Sequence, residues 1–100
     1  MSVIVIGRFK ADPARLEQVF LTHEQTLIDV SVDGKAKGAI HHQFGAGDGE
    51  VVIVDEWPDE ASFQAFFAGQ ADIPKIMAEV GVTAPPTFEF FRKMDSPDAF

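Results

Sequence analysis

From Ser2 to Lys10 the chain is a compact β-branched run, "SVIVIGRFK", which predicts a strand. The apolar period then lengthens. Leu16, Val19, Phe20, His23, Leu27 and Val30 recur at helical spacing, one apolar stripe on a single helix. Asp12 is its expected N-cap, Pro13 fits the first turn, and Asp33-Gly34 is the expected stop. "GAIHHQF" (Gly38 to Phe44) reads as a second strand and "GAGDG" (Gly45 to Gly49) as a loop of turn residues. "EVVIVDEW" (Glu50 to Trp57) is a third strand, joined to the second as a hairpin. Asp59 can cap a short helix carrying Phe63, Phe66 and Phe67, which Gly69 interrupts. Asp72 restarts it with Ile73, Ile76, Met77 and Val80, and Gly81 closes it. After the "TAPP" connection, "TFEFFRKM" (Thr87 to Met94) is the last strand. Residues 1–94 therefore read as one α+β domain and residues 95–100 as a loose tail.

The order β-α-β-β-α-β is the ferredoxin-like pattern, an antiparallel sheet with helices on one face. A sheet with one wet face should alternate apolar and polar positions. "VIVI" (Val3 to Ile6) and "VVIV" (Val51 to Val54) do not: every position is apolar. Both faces of these strands call for burial, and the sequence offers no third layer. The cheapest cover is the sheet of a second copy, which predicts a homodimer paired sheet to sheet.

Composition narrows the function. Of 100 residues, 46% are hydrophobic and ten are phenylalanine, ample for a core. The absence of cysteine excludes disulfides and thiolate chemistry and fits a cytoplasmic protein. The N-terminal "MSVIVIGRFK" lacks the basic start and long apolar stretch of a signal peptide, so none is expected. Nothing approaches the roughly 20 apolar residues of a membrane span. Net charge is −8 and the eight Lys and Arg are scattered, which argues against nucleic acid as a partner.

"DEW" (Asp55 to Trp57) at the end of the third strand and "PDEASFQAFF" (Pro58 to Phe67) opening the second helix, with the strand order, resemble the antibiotic-biosynthesis-monooxygenase-like family. This family belongs to the dimeric α+β barrel proteins, and the resemblance covers residues 2 to about 94. It implies a homodimer and, as an activity, a small cofactor-independent monooxygenase acting on an aromatic or quinone-like molecule. It also places Trp57 at a pocket between helices and sheet. Haem-degrading members of the family carry an Asn on the first strand, where this chain has Gly7, and a ligating His on the second helix, where it has Phe67. Haem is therefore not expected, and no cofactor is. The family's phenol oxygenases use Tyr and Asn near the substrate, and this chain contains neither. A dimeric module that binds an apolar ligand without chemistry is the alternative.

His41 and His42 are adjacent on a strand, so they point to opposite faces and cannot share a metal. No other ligand spacing suggests a metal site. If Phe44 pairs with Glu50 around a five-residue loop, His41 lies opposite Ile53 and shares a face with Asp55 and Trp57. A carboxylate beside an imidazole orients it and suits it to take a phenolic proton, leaving an anion that can react with dioxygen. A one-residue slip puts His42 there instead, so both histidines stay candidates with Asp55. Trp57, Phe63 and Phe67, with Phe20 and His23 from the first helix, are the expected wall of a small-ligand pocket. Aromatics at helical spacing are otherwise core. "GAGDG" joins antiparallel strands and is no phosphate loop.

Overall fold

The computed structural model describes residues 2–100. The elements run β1 (Val3–Lys10), α1 (Pro13–Thr22), α2 (Glu24–Ala36), β2 (His41–Ala46), β3 (Glu50–Trp57), α3 (Glu60–Ala68), α4 (Asp72–Val80) and β4 (Thr87–Arg92). They form one antiparallel sheet in the order β2-β3-β1-β4. This is the ferredoxin-like α+β arrangement, with β1 and β3 central. No helix among the described residues is long and apolar enough to cross a membrane.

The two all-apolar strands resolve by burial. On one face Val5 and Phe9 of β1 and Val51, Asp55 and Trp57 of β3 are buried beneath the helices. On the other face Ile4, Ile6, Val52 and Val54 remain half-buried and Phe91 of β4 is exposed. The rim of that outer face is polar. Arg8 lies 3.8 Å from Glu50 and 3.7 Å from Glu89. Ser2 Oγ donates to Glu56 at 2.6 Å, with Lys93 Nζ at 3.3 Å. The Ser2 hydrogen bond, then Lys93 and His41, hold the Glu56 carboxyl below its ordinary range.

The helices begin and end as their sequences dictate. Asp12 Oδ1 accepts from Ala14 N at 3.0 Å, and Asp59 Oδ1 from Ser62 N at 2.7 Å. Gly69 ends α3, and Gly81, at φ 89°, ends α4. Two expectations for the first helical segment are corrected. The stripe from Leu16 to Val30 is not one helix: it breaks at His23, whose φ of −112° and ψ of 31° separate α1 from α2. His23 turns sideways there, with Nε2 2.6 Å from Glu79 Oε2 on α4. Nor does Asp33-Gly34 stop the helix. Asp33 Oδ2 takes Lys37 Nζ, one turn on, at 2.9 Å and Gln70 Nε2 at 2.8 Å. Those bonds hold its carboxyl below the usual range. Gly34 is buried where the Phe66 ring crosses α2, so its lack of a side chain serves packing rather than a turn. The chain leaves the helix at Gly38, φ 115°.

The second strand is also displaced. It starts at His41 rather than Gly38 and continues to Ala46. The hairpin turns tightly about Asp48-Gly49, with Gly47 N donating to Glu50 O at 2.9 Å and Gly49 at φ 68°. Phe44 therefore pairs with Ile53, not Glu50, and His42 with Asp55. The shift is an odd number of residues, which exchanges the faces of the whole strand. The last strand stops at Arg92, short of the expected Met94.

A methyl group at position 34 would meet Phe66 Cε1 and Cζ at 3.5 Å, ordinary contact distance. Gly34→Ala should therefore stabilise the protein by about 0.5–1 kcal/mol, the helix-interior cost of glycine. Gly34→Leu should destabilise it by about 1–3 kcal/mol through overpacking. Urea unfolding midpoints measure both. A lower midpoint for the alanine variant would show that α2 does not run through this position.

Candidate functional site

α2 packs against α1, and Leu27 and Val30 on its inner side reach the two core clusters. The space left between α2 and the sheet is a cavity of about 570 Å³. Its floor includes Ile53, Asp55 and Trp57 of β3 with His42 and Phe44 of β2. Phe63, Phe66 and Phe67 of α3 and Phe88 of β4 form an aromatic wall. Phe20 of α1 closes over Phe44, their ring centroids 5.0 Å apart. The mouth opens between α2 and the edge strand β2, where Ile28, Val32 and Ile40 are exposed.

The polar centre of the floor is Asp55, 6% exposed. Its position puts it on the helix side of a central strand, between Ile53 and Trp57. A carboxylate there costs free energy unless both oxygens find donors. They do. His42 Nδ1 lies 2.6 Å from Oδ1, and Trp57 Nε1–H donates to Oδ2 at 3.1 Å. An ionised Asp55 only accepts, so in a neutral His42 ring the proton sits on Nδ1 and the Nε2 lone pair is left over. Nε2 has no partner among the described residues, and the ring lines the cavity. The side chain of His42 is 48% exposed and its ring stands edge-on to Phe44 at 5.0 Å. The floor thus carries one imidazole held by a buried carboxylate, beside an aromatic wall.

His42, Asp55, Trp57, Phe20, Phe63 and Phe67 come together here. His41 does not join them as the five-residue loop required. It stands opposite Glu56, so its side chain belongs to the outer face of the sheet, although the residue borders the mouth. His23 lies outside the cavity lining and pairs with Glu79 instead. Trp57 is 1% exposed, both core and floor, with Phe63 and Phe66 packed on it at 5.8 and 5.0 Å.

Other lining residues were not singled out from the sequence. Phe44 falls in strand alternation with His42, a signal that the true register would have revealed. Phe88 sits opposite Gly7, where a Cβ would come within 2.8 Å of its ring. The room an Asn side chain would need at position 7 is therefore filled by Phe88. Phe67 is stacked on Phe63 at 5.8 Å and meets Phe88 at 5.0 Å. Ser31 and Lys35 of α2 also line the cavity. Among the described residues no group of three or more His, Cys, Asp or Glu side chains is placed to hold a metal ion.

No family model matches the sequence, and no curated protein does. Solved structures match along nearly the whole chain. SnoaB, a cofactor-independent oxygenase from Streptomyces nogalater, superposes with a TM-score of 0.64 at 16% identity, covering 98% of each chain. The monooxygenase from the gene ActVA-Orf6 of Streptomyces coelicolor, in complex with the ligand nanaomycin D, gives 0.67 at 14% identity, over 95% of this chain and 89% of that one. An antibiotic biosynthesis monooxygenase gives 0.62 at 12% identity, over 93% and 99%. The helix pairs, the sheet order and these superpositions agree: the chain has the fold of the antibiotic-biosynthesis-monooxygenase-like proteins.

Proposed function

We propose that the protein is a cofactor-independent monooxygenase that oxidises a planar aromatic phenol or quinone-like small molecule in this cavity. The observation that carries the reading is the buried Asp55 carboxylate bound to His42 Nδ1 at 2.6 Å, which leaves Nε2 as an oriented base in an aromatic enclosure. The fold it shares with oxygenases supports the same class.

Dioxygen is the co-substrate. Nε2 of His42 takes the proton of a phenol or of the enol of a ring ketone. The anion gives one electron to dioxygen, and the resulting radical pair forms a carbon–oxygen bond at an electron-rich ring carbon. His42 returns its proton to the peroxide anion, and with a ring methylene as the reacting carbon its Nε2 then takes the remaining C–H proton of the hydroperoxide. The O–O bond breaks, and the departing hydroxide takes the proton held by His42. The balance is CH2 + O2 → C=O + H2O: carbon loses four electrons and dioxygen gains four. Asp55 keeps the imidazole in one tautomer and steadies its charged form. Trp57 fixes the second carboxylate oxygen so that Asp55 does not turn away.

The alternative, a binding module without chemistry, draws on one observation. The chain has no Tyr and no Asn, so the cavity lacks the neutral polar side chains of phenol oxygenases. Oxygen uptake with anthrone separates the two. His42→Ala and His42→Gln should both lower turnover by roughly 10²–10⁴-fold, and His41→Ala should leave most of it. Nitrogen-15 spectra should show His42 protonated on Nδ1, a state that Asp55→Asn disturbs. If His42 variants bind anthrone and also oxidise it at the wild-type rate, the base assignment is wrong. If the wild type binds but consumes no oxygen, the cavity is a binding site only.

We further infer that two copies pair through the outer faces of their sheets. Ile4, Ile6, Val52, Val54 and Phe91 form a continuous apolar centre there, framed by the Arg8 and Glu56 pairs. Light scattering should give a dimer at micromolar concentration, and Val54→Asp should dissociate or unfold it. A wild-type monomer under those conditions would refute the pairing, whatever the variant does.

A further inference from the structure

We propose that Lys35 anchors a carboxylate on the substrate, so that the ligand class is a planar aromatic acid whose phenol lies at His42. This rests on the reading of the cavity as an aromatic-binding site and narrows it. Besides His41 at the mouth, the polar residues that line the cavity fall in two groups. His42 and Asp55, on the floor, satisfy each other. Ser31 and Lys35, on α2, are four residues apart and so lie one above the other on the helix face that roofs the cavity. Both are exposed, at the side where Ile28 and Val32 mark the mouth.

Among the described residues Lys35 is the one Lys or Arg bordering the cavity, and it pairs with no carboxylate. Its neighbours differ. Lys37 is held by Asp33 at 2.9 Å, and Asp33 is occupied further by Gln70. The sole acid of the lining, Asp55, is buried and already accepts from two donors. A lysine stem can lie along an apolar wall while its head stays at the water boundary. In a chain of net charge −8, this unpaired ammonium is the point on the cavity rim that attracts an anion. One ammonium and one hydroxyl match a singly charged carboxylate. There is no arginine fork here of the kind that favours phosphate.

Lys35 also stands in the last turn of α2, where a cation complements the helix dipole. That role would register in the urea midpoint and not in any choice between ligands. The test is therefore discrimination. Calorimetry compares 6-hydroxy-2-naphthoate with its uncharged methyl ester on the wild type, Lys35→Met and Lys35→Arg. The acid should bind the wild type about five- to tenfold more tightly than the ester, and less so at high salt. Lys35→Met should abolish or reverse the preference, Lys35→Arg should keep it, and ester affinity should change little. Equal affinities in the wild type, or a preference that survives Lys35→Met, would overturn the role of Lys35 and leave the aromatic site standing. If neither compound binds, the aromatic site fails and this inference falls with it.

Discussion

A carboxylate under the helices is the constraint to which the rest of the site answers. Asp55 sits among Ile53, Trp57 and the phenylalanines at 6% exposure, and only two hydrogen bonds make that tolerable. Removing one partner of such a buried group leaves its polar atoms uncompensated and costs several kcal/mol, of order 3–5 when the group is charged. The two donors come from different places. Trp57 is two residues on along β3, on the same face, so its indole N–H reaches back to Asp55. His42 comes from the edge strand β2, which is otherwise largely exposed. Asp55 thereby fastens an edge strand to the core and orients an imidazole in the same contact.

The cavity follows from how the phenylalanines are distributed. Two buried clusters flank it. One is built on Phe9, Leu16, Val19, Val51, Ile76 and Val80, the other on Val5, Trp57, Phe63 and Phe66. α2 contributes only Gly34 to the fully buried set, and Phe66 lies across that glycine. Leu27 and Val30 of α2 are only partly buried against the two clusters, and the cavity opens beside them. Gly7 makes the corresponding allowance on β1, where Phe88 leans over the strand and completes the wall with Phe63 and Phe67. The aromatic residues of α3 are therefore core and wall together: Phe63 and Phe66 are buried in the second cluster and also line the cavity.

The fold was legible because its signals are redundant. Caps at Asp12 and Asp59, glycines at Gly69 and Gly81, and period changes between them all point to the same elements. The site depended on a single quantity, the β2–β3 register, and there the sequence signals competed. Treating all of Gly45 to Gly49 as loop put Phe44 opposite Glu50 and turned His41 inward. Within that stretch Asp48-Gly49 is a strong short hairpin signal. A turn centred on it brings Gly47 to Glu50 and, five residues further along each strand, sets His42 against Asp55. The His23 break was less accessible. Apolar spacing continues through it, and the reason to depart, Glu79, lies on a helix remote in sequence.

The two faces of β3 also tie the proposed chemistry to the proposed pairing. Ile53, Asp55 and Trp57 alternate with Val52, Val54 and Glu56, so each floor residue is held by outer-face neighbours on the same backbone. Glu56, between Asp55 and Trp57, is fixed by Ser2 and Lys93. His41 stands opposite that carboxylate, which gives the outward histidine a place in the rim while its neighbour takes the inward role. Burying Val52 and Val54 against a second sheet would stiffen the strand that carries the Asp55 carboxylate, without adding any group to the cavity. The sequence's uninterrupted apolar runs then have one explanation on each side. Inward they build a floor around the Asp55 carboxylate, and outward they leave the apolar surface of Ile4, Ile6, Val52 and Val54 that the proposed pairing would cover.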